Sequence, residues 1–161
     1  MNDSKASYSA FDTAVYLLTF KSRTSKELTD KLKNKGYSDC EIDKAMNKLL
    51  EYNFVNDDSY TLSYIKSNID KKGKKLILRE LSEKGIDKSI IEETMEELSI
   101  LEIEEEKIDI IFKKRFSDSD LNDIRVRNRV QSYFLRRGFS YEKISKIVKK
   151  YREKDEIDNC L

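Results

Sequence analysis

An all-α array of three tandem three-helix repeats is the fold this 161-residue sequence predicts. Three observations lead there. The first is a register. When Gly36, Gly85 and Gly138 are aligned, an apolar residue stands four positions before each (Leu32, Leu81, Phe134) and eight before each (Leu28, Ile77, Val130). Others stand six after (Ile42, Ile91, Ile144) and thirteen after (Leu49, Leu98, Tyr151). A self-similar period of roughly 50 residues is the mark of a helical array. The second observation is that the chain has no Pro and only four Gly, so the usual punctuation of strands and loops is missing. The third is a charged fraction of 39%, which fits amphipathic helices whose apolar stripes are covered by neighbouring repeats.

The elements follow in order. Residues 6–20 place Ala10, Ala14, Leu17 and Leu18 at helical spacing. Thr24 with Glu27 forms a capping-box signature that opens a second helix, which stops at Gly36. Ser38 with Glu41 repeats the signature and opens a third helix to about Tyr52. The second repeat starts at Asp57, read as a cap, before Tyr60, Leu62, Tyr64 and Ile65. Gly73 breaks the chain, Gly85 ends the next helix, and Asp87 caps one that reaches about Leu101. The third repeat begins near Ile103 with Ile108, Ile111 and Phe112 as its stripe, and turns at residues 117–120. A long helix then runs to Arg137, and Ser140 opens the last one. The expected organisation is repeat 1 over 1–56, repeat 2 over 57–102, repeat 3 over 103–153, and a fraying tail over 154–161.

Composition narrows the function. With no His, the chain lacks the commonest general base and metal ligand. Cys40 and Cys160 lie far apart and outside any CxxC spacing, which reads as free thiols in a reducing compartment. There is no Gly-rich phosphate loop. No apolar run approaches the ~20 residues of a membrane span, and the N-terminus shows no signal-peptide pattern. These features point to a cytoplasmic binding protein, not an enzyme, without cofactor or metal. The carboxylates of 97–106 read as a solvated helix face.

Charge carries the functional signal. Residues 92–109 hold nine acids and one lysine, while residues 110–154 hold fourteen Lys or Arg against five acids. That split points to a surface built for an anionic or acid-lined partner. At ~100° per residue, Arg125, Arg129 and Arg136 share one flank of their helix, with Arg127 and Arg137 nearer its apolar edge. Lys72, Lys75 and Arg79 form a stripe in the preceding repeat, and Lys146, Lys149 and Lys150 add another on the last helix. These eleven residues are the candidate contacts for a phosphate backbone or an acidic protein surface. Arginine suits bidentate phosphate or carboxylate contacts, so the third repeat is favoured.

The segments 22–65, 72–93 and 135–148 together resemble the RecX family of bacterial recombination regulators. The resemblance rests on the R-T-S-K-E-L start, the glycine–isoleucine register, the N-D-D-S-Y link and the closing R-R-G-F-S. It runs from Ala6 to Tyr151. It implies three three-helix repeats and a monomer that binds the RecA filament on single-stranded DNA, lying in its groove. It also implies that filament extension, ATP hydrolysis, strand exchange and co-protease activity are suppressed. Two departures stand out. Many relatives carry an extension ahead of the first repeat, so this chain reads as a short or truncated member. A small residue is common where Leu62 stands. Two other readings remain open: a helix-turn-helix DNA reader built on residues 24–49, and a helical adaptor between proteins.

Overall fold

A computed structural model describes residues 8–158 of the chain. Among these residues there are nine α-helices and no strand. The helices are α1 (Ala10–Phe20), α2 (Ser25–Asn34), α3 (Asp39–Glu51), α4 (Asp57–Asn68), α5 (Lys74–Glu83), α6 (Lys88–Glu97), α7 (Ile100–Phe116), α8 (Ile124–Arg136) and α9 (Tyr141–Asp158). The all-α repeat architecture is therefore present. Readings that fall on residues 1–7 and on Cys160 lie outside the described residues.

By compactness the chain divides into two units. The first comprises Met1–Tyr64 with Leu81–Ile91, and the second Ile65–Glu80 with Glu92–Leu161. In the first, Ala10 and Ala14 of α1 pack with Leu28, Leu32, Ile42, Ala45, Met46, Leu49 and Val55. In the second, Ile108 and Phe112 of α7 pack with Leu121, Val130, Phe134, Phe139, Ile144, Ile147 and Val148. The residues four and eight before each glycine are all fully buried. Those six after are buried as well.

Each glycine ends its helix in the same way. Gly36, Gly85 and Gly138 have φ of +87°, +82° and +80°, a left-handed conformation that costs other residues roughly 1–2 kcal/mol. The N–H groups of Tyr37, Ile86 and Phe139 reach back to the carbonyls of Leu32, Leu81 and Phe134 at 3.3, 3.1 and 3.3 Å. This is the Schellman closure, and it pairs an apolar residue after the glycine with one in the last turn. Phe139 against Phe134, with ring centroids 5.7 Å apart, is such a pair.

The glycines differ in what they touch. A Cβ on Gly138 would lie 2.3 Å from the Leu76 nitrogen, and one on Gly85 would lie 2.5 Å from Lys26 Cβ. Among the described residues, nothing lies within 4 Å of a Cβ on Gly36. Gly85 and Gly138 thus seat the carbonyl end of one helix on the amide end of another. In the second unit the contact is backbone to backbone. Gly73 N–H donates to the Arg137 carbonyl at 2.8 Å, and Lys75 N–H donates to the Gly138 carbonyl at 3.2 Å. In the first unit side chains complete it. The Thr24 hydroxyl donates to the Lys84 carbonyl at 2.6 Å while accepting from Glu27 N–H. The Lys26 ammonium donates to the Glu83 carbonyl at 3.3 Å, and the Lys84 ammonium to the Glu27 carboxylate at 2.6 Å.

Several local expectations shift. Asp57 is the first residue of α4 but spends its carboxylate on Ser25 N–H at the start of α2. Asn56 takes over the cap, accepting from Ser59 N–H at 2.8 Å. Thr61, not Leu62, sits with Ile65 in the core, its hydroxyl satisfied by the Asp57 carbonyl. The sixth helix stops at Glu97, because Ser99 takes a left-handed φ of 49° and α7 starts at Ile100. The stretch 154–158 continues α9.

Gly36→Ala and Gly138→Ala separate backbone strain from docking. Gly36→Ala should cost about 1–2 kcal/mol, the left-handed penalty alone. Gly138→Ala should cost at least about 3 kcal/mol, because two backbone hydrogen bonds are lost as well. Urea unfolding followed by circular dichroism measures both, and equal losses would show that the Gly138 contact does not form in solution.

Candidate functional site

The arginine face of α8 is made by its register. Asp123 caps the helix, its carboxylate accepting from Arg125 N–H at 2.7 Å. Val130 and Phe134 point into the core, which leaves Arg125, Arg129 and Arg136 exposed on one side. None of these three guanidinium groups makes an ion pair among the described residues.

Arg127 and Arg137 are half-buried and engaged locally. Arg127 donates to the carbonyls of Leu121 and Asn122 at 2.9 and 3.2 Å, tying down the turn before α8. The Arg137 guanidinium lies 3.7 Å from the centroid of the Tyr133 ring and donates to the Tyr133 carbonyl at 3.4 Å. Arg115, from α7, stands 5.1 Å from the same centroid and 3.4 Å from the Tyr133 hydroxyl. Tyr133 and Arg115 were not among the expected contacts. The signal was present, since Tyr133 lies four residues from both Arg129 and Arg137 and so neighbours both on the helix surface.

In α5 and the turn before it, Lys75 and Arg79 are exposed, whereas Lys72 is half-buried against Glu80 at 2.7 Å. The bond from Lys75 N–H to the Gly138 carbonyl sets the start of this stripe beside the end of the α8 face.

The lysines of α9 are placed differently. Lys146 pairs with Glu105 at 2.8 Å, Lys150 with Asp109 at 3.0 Å, and Lys149 with Glu153 at 3.7 Å. Lys143 pairs with the buried Glu104 at 3.4 Å, and Glu104 also accepts from Ser140 N–H at the start of α9. The acidic block and the basic third, expected to form an outward surface, are here partly matched to each other along α7 and α9. Glu104 likewise departs from the solvated face expected for 97–106. Long-range packing of the two helices produces both outcomes.

Asp109 is the centre of this ladder. Burial alone would raise its carboxyl. Hydrogen bonds from Lys113, Lys150 and Tyr151 outweigh that and hold it down at about 2. Lys113 is raised in turn by its hydrogen bond to Asp109, and Tyr151 by burial and then by that same carboxylate.

Among the described residues no group of His, Cys, Asp or Glu is placed to hold a metal ion. No helix there is long and apolar enough to cross a membrane. A guanidinium group can make charge-assisted, bidentate contacts with a phosphate or a carboxylate.

Comparison with known proteins shows what the chain as a whole is similar to. The family model described as RecX, first three-helix domain, matches residues 10–49, and RecX, second three-helix domain, matches residues 56–95. The chain is 34% identical over 152 residues to the regulatory protein RecX of Clostridium beijerinckii, covering 91% of this chain and 70% of that one. It is 31% identical over 153 residues to the regulatory protein RecX of Bacillus velezensis, covering 92% of this chain but 58% of that one. The crystal structure of RecX from Lactobacillus salivarius matches with a TM-score of 0.76 at 30% identity, over 88% of this chain and 94% of that one.

The Asp109 ladder predicts an acid sensitivity. A depressed folded-state pKa gives stability that is present above the ordinary value of 3.8 and is lost as pH falls toward about 2. Discounted for solvent screening, the loss is on the order of 1 kcal/mol. Asp109→Asn should remove that part of the pH dependence, as read from urea midpoints at about pH 5 and about pH 2.5. An unchanged pH dependence would place the acid sensitivity elsewhere.

Proposed function

The chain belongs to the RecX family, and on that premise we propose that it regulates the RecA recombinase. In this reading it lies in the groove of the RecA filament on single-stranded DNA, as a monomer in the cytoplasm. There it hinders filament extension and lowers ATP hydrolysis, strand exchange and co-protease activity. The observation that carries the reading beyond family membership is the arginine face of α8. Arg125, Arg129 and Arg136 are exposed, share one flank, and have no carboxylate partner among the described residues. Lys75 and Arg79 extend the face into the preceding repeat. Lys146, Lys149 and Lys150 belong to a secondary rim, since breaking their intramolecular pairs opposes their use. Arg127, Arg137 and Lys72 support the face through their stems and local bonds.

A cationic face of this kind can meet either phosphate or carboxylate groups in a protein–DNA filament. Contact with phosphate makes affinity fall steeply with salt, and direct contact with the nucleic acid is part of the proposal.

Titrating the protein into RecA on single-stranded DNA should lower the ATPase rate, and full activity at stoichiometric excess would end the proposal. The variant Arg125→Ala/Arg129→Ala/Arg136→Ala should keep its helical circular dichroism. It should lose at least about tenfold in filament affinity, since charge-assisted contacts contribute roughly 1.5–3 kcal/mol each. Wild-type affinity in this variant would move the interface to another face.

A further inference from the structure

A cleft of about 780 Å³ opens in the second unit, beside the arginine face of α8. This is within the roughly 300–1,000 Å³ typical of ligand sites. Its walls come from the turn after α4, from α7 and from α8. Tyr133 sets its chemistry. Arg137 lies over the ring and Arg115 stands at the hydroxyl end. Held in this way, both guanidinium groups lose little freedom when they engage an anion. Lys71 and Lys114 are exposed in the walls, and neither makes an ion pair among the described residues. The carboxylate that lines the cleft, Asp70, is already neutralised by Lys107. Ile110, 49% exposed, gives the cleft an apolar floor between these cations.

The geometry points to a docking site for a short acidic segment of a partner protein, one that carries an apolar side chain beside its carboxylates. The inference rests on the reading that this chain works by binding a protein. Two observations favour a peptide over a nucleic-acid strand. A strand needs open aromatic faces on which its bases stack. The one aromatic ring in the walls has Arg137 over it. An exposed isoleucine among four cations that make no ion pair among the described residues matches an apolar anchor flanked by acids, the composition of a protein hot spot with Tyr and Arg at its centre.

The test uses the full chain, without RecA or ATP. Fluorescence anisotropy would follow a fluorescein-labelled peptide of alternating Asp and Leu residues and, separately, labelled oligo(dT). The peptide should bind, and Arg115→Ala/Arg137→Ala should weaken it at least about tenfold, as expected for losing two charge-assisted contacts. Lys71→Glu/Lys114→Glu changes only exposed positions. It should weaken the peptide as well, and it decides the matter if the arginine variant misfolds. Absent peptide binding, or peptide binding untouched by Lys71→Glu/Lys114→Glu, overturns the proposal. Oligo(dT) binding that the cleft variants abolish, without peptide binding, overturns it in favour of nucleic acid. Failure here with RecA ATPase still suppressed sinks the cleft alone. Peptide binding with RecA ATPase untouched sinks the regulatory reading alone.

Discussion

The structure depends on one contact: the carbonyl end of a helix seated on the amide end of another. Each helix terminus leaves backbone groups without intrahelical partners. At these junctions one helix's unmet carbonyls accept from the other's unmet donors, and the two ends carry opposite partial charge. Gly138 over Gly73 does this with backbone alone. Gly85 over Thr24 does it through a hydroxyl and two lysines. The difference follows from Gly73. A Cβ there would lie 2.4 Å from the Gly138 carbonyl oxygen, so only glycine allows main chain to meet main chain. Thr24 keeps its Cβ and bridges with its side chain.

Placement of charge follows from the same packing. Setting the end of α8 on the start of α5 fixes which side of α8 is buried, and the arginines of the opposite flank are left without an ion pair among the described residues. Packing α7 with α9 has the other effect. It brings Glu104, Glu105 and Asp109 to Lys143, Lys146 and Lys150, and so uses up charge that composition alone assigns to an outer surface. A nearly neutral chain thereby keeps a cationic face on one helix. Such a face steers an anionic partner at moderate ionic strength and is weakened by salt.

Most of the fold was legible because its determinants are local. The capping boxes at Thr24 and Ser38, the glycine closures and the buried positions four and eight residues before each glycine all depend on neighbours within one turn or two. What escaped depends on distance along the chain. Asp57 looked like a cap for its own helix and serves Ser25, 32 residues away. Lys146 and Lys150 looked like a stripe open to an anionic partner, but each bonds an acid 41 residues earlier. The placement of Arg115 at Tyr133 needs α7 and α8 to be packed before it exists. The exposed arginine stripe was legible, because helical periodicity alone fixes it once Val130 is known to be buried.

The most direct measurement is amide hydrogen exchange at Gly73 and Lys75. Amides at the start of a helix have no intrahelical acceptor and ordinarily exchange early. Here both donate across the junction, to Arg137 and Gly138. The account predicts protection at these two positions comparable with that of Ile77 and Leu81 in the body of α5. Exchange as fast as that of an uncapped first turn would contradict it.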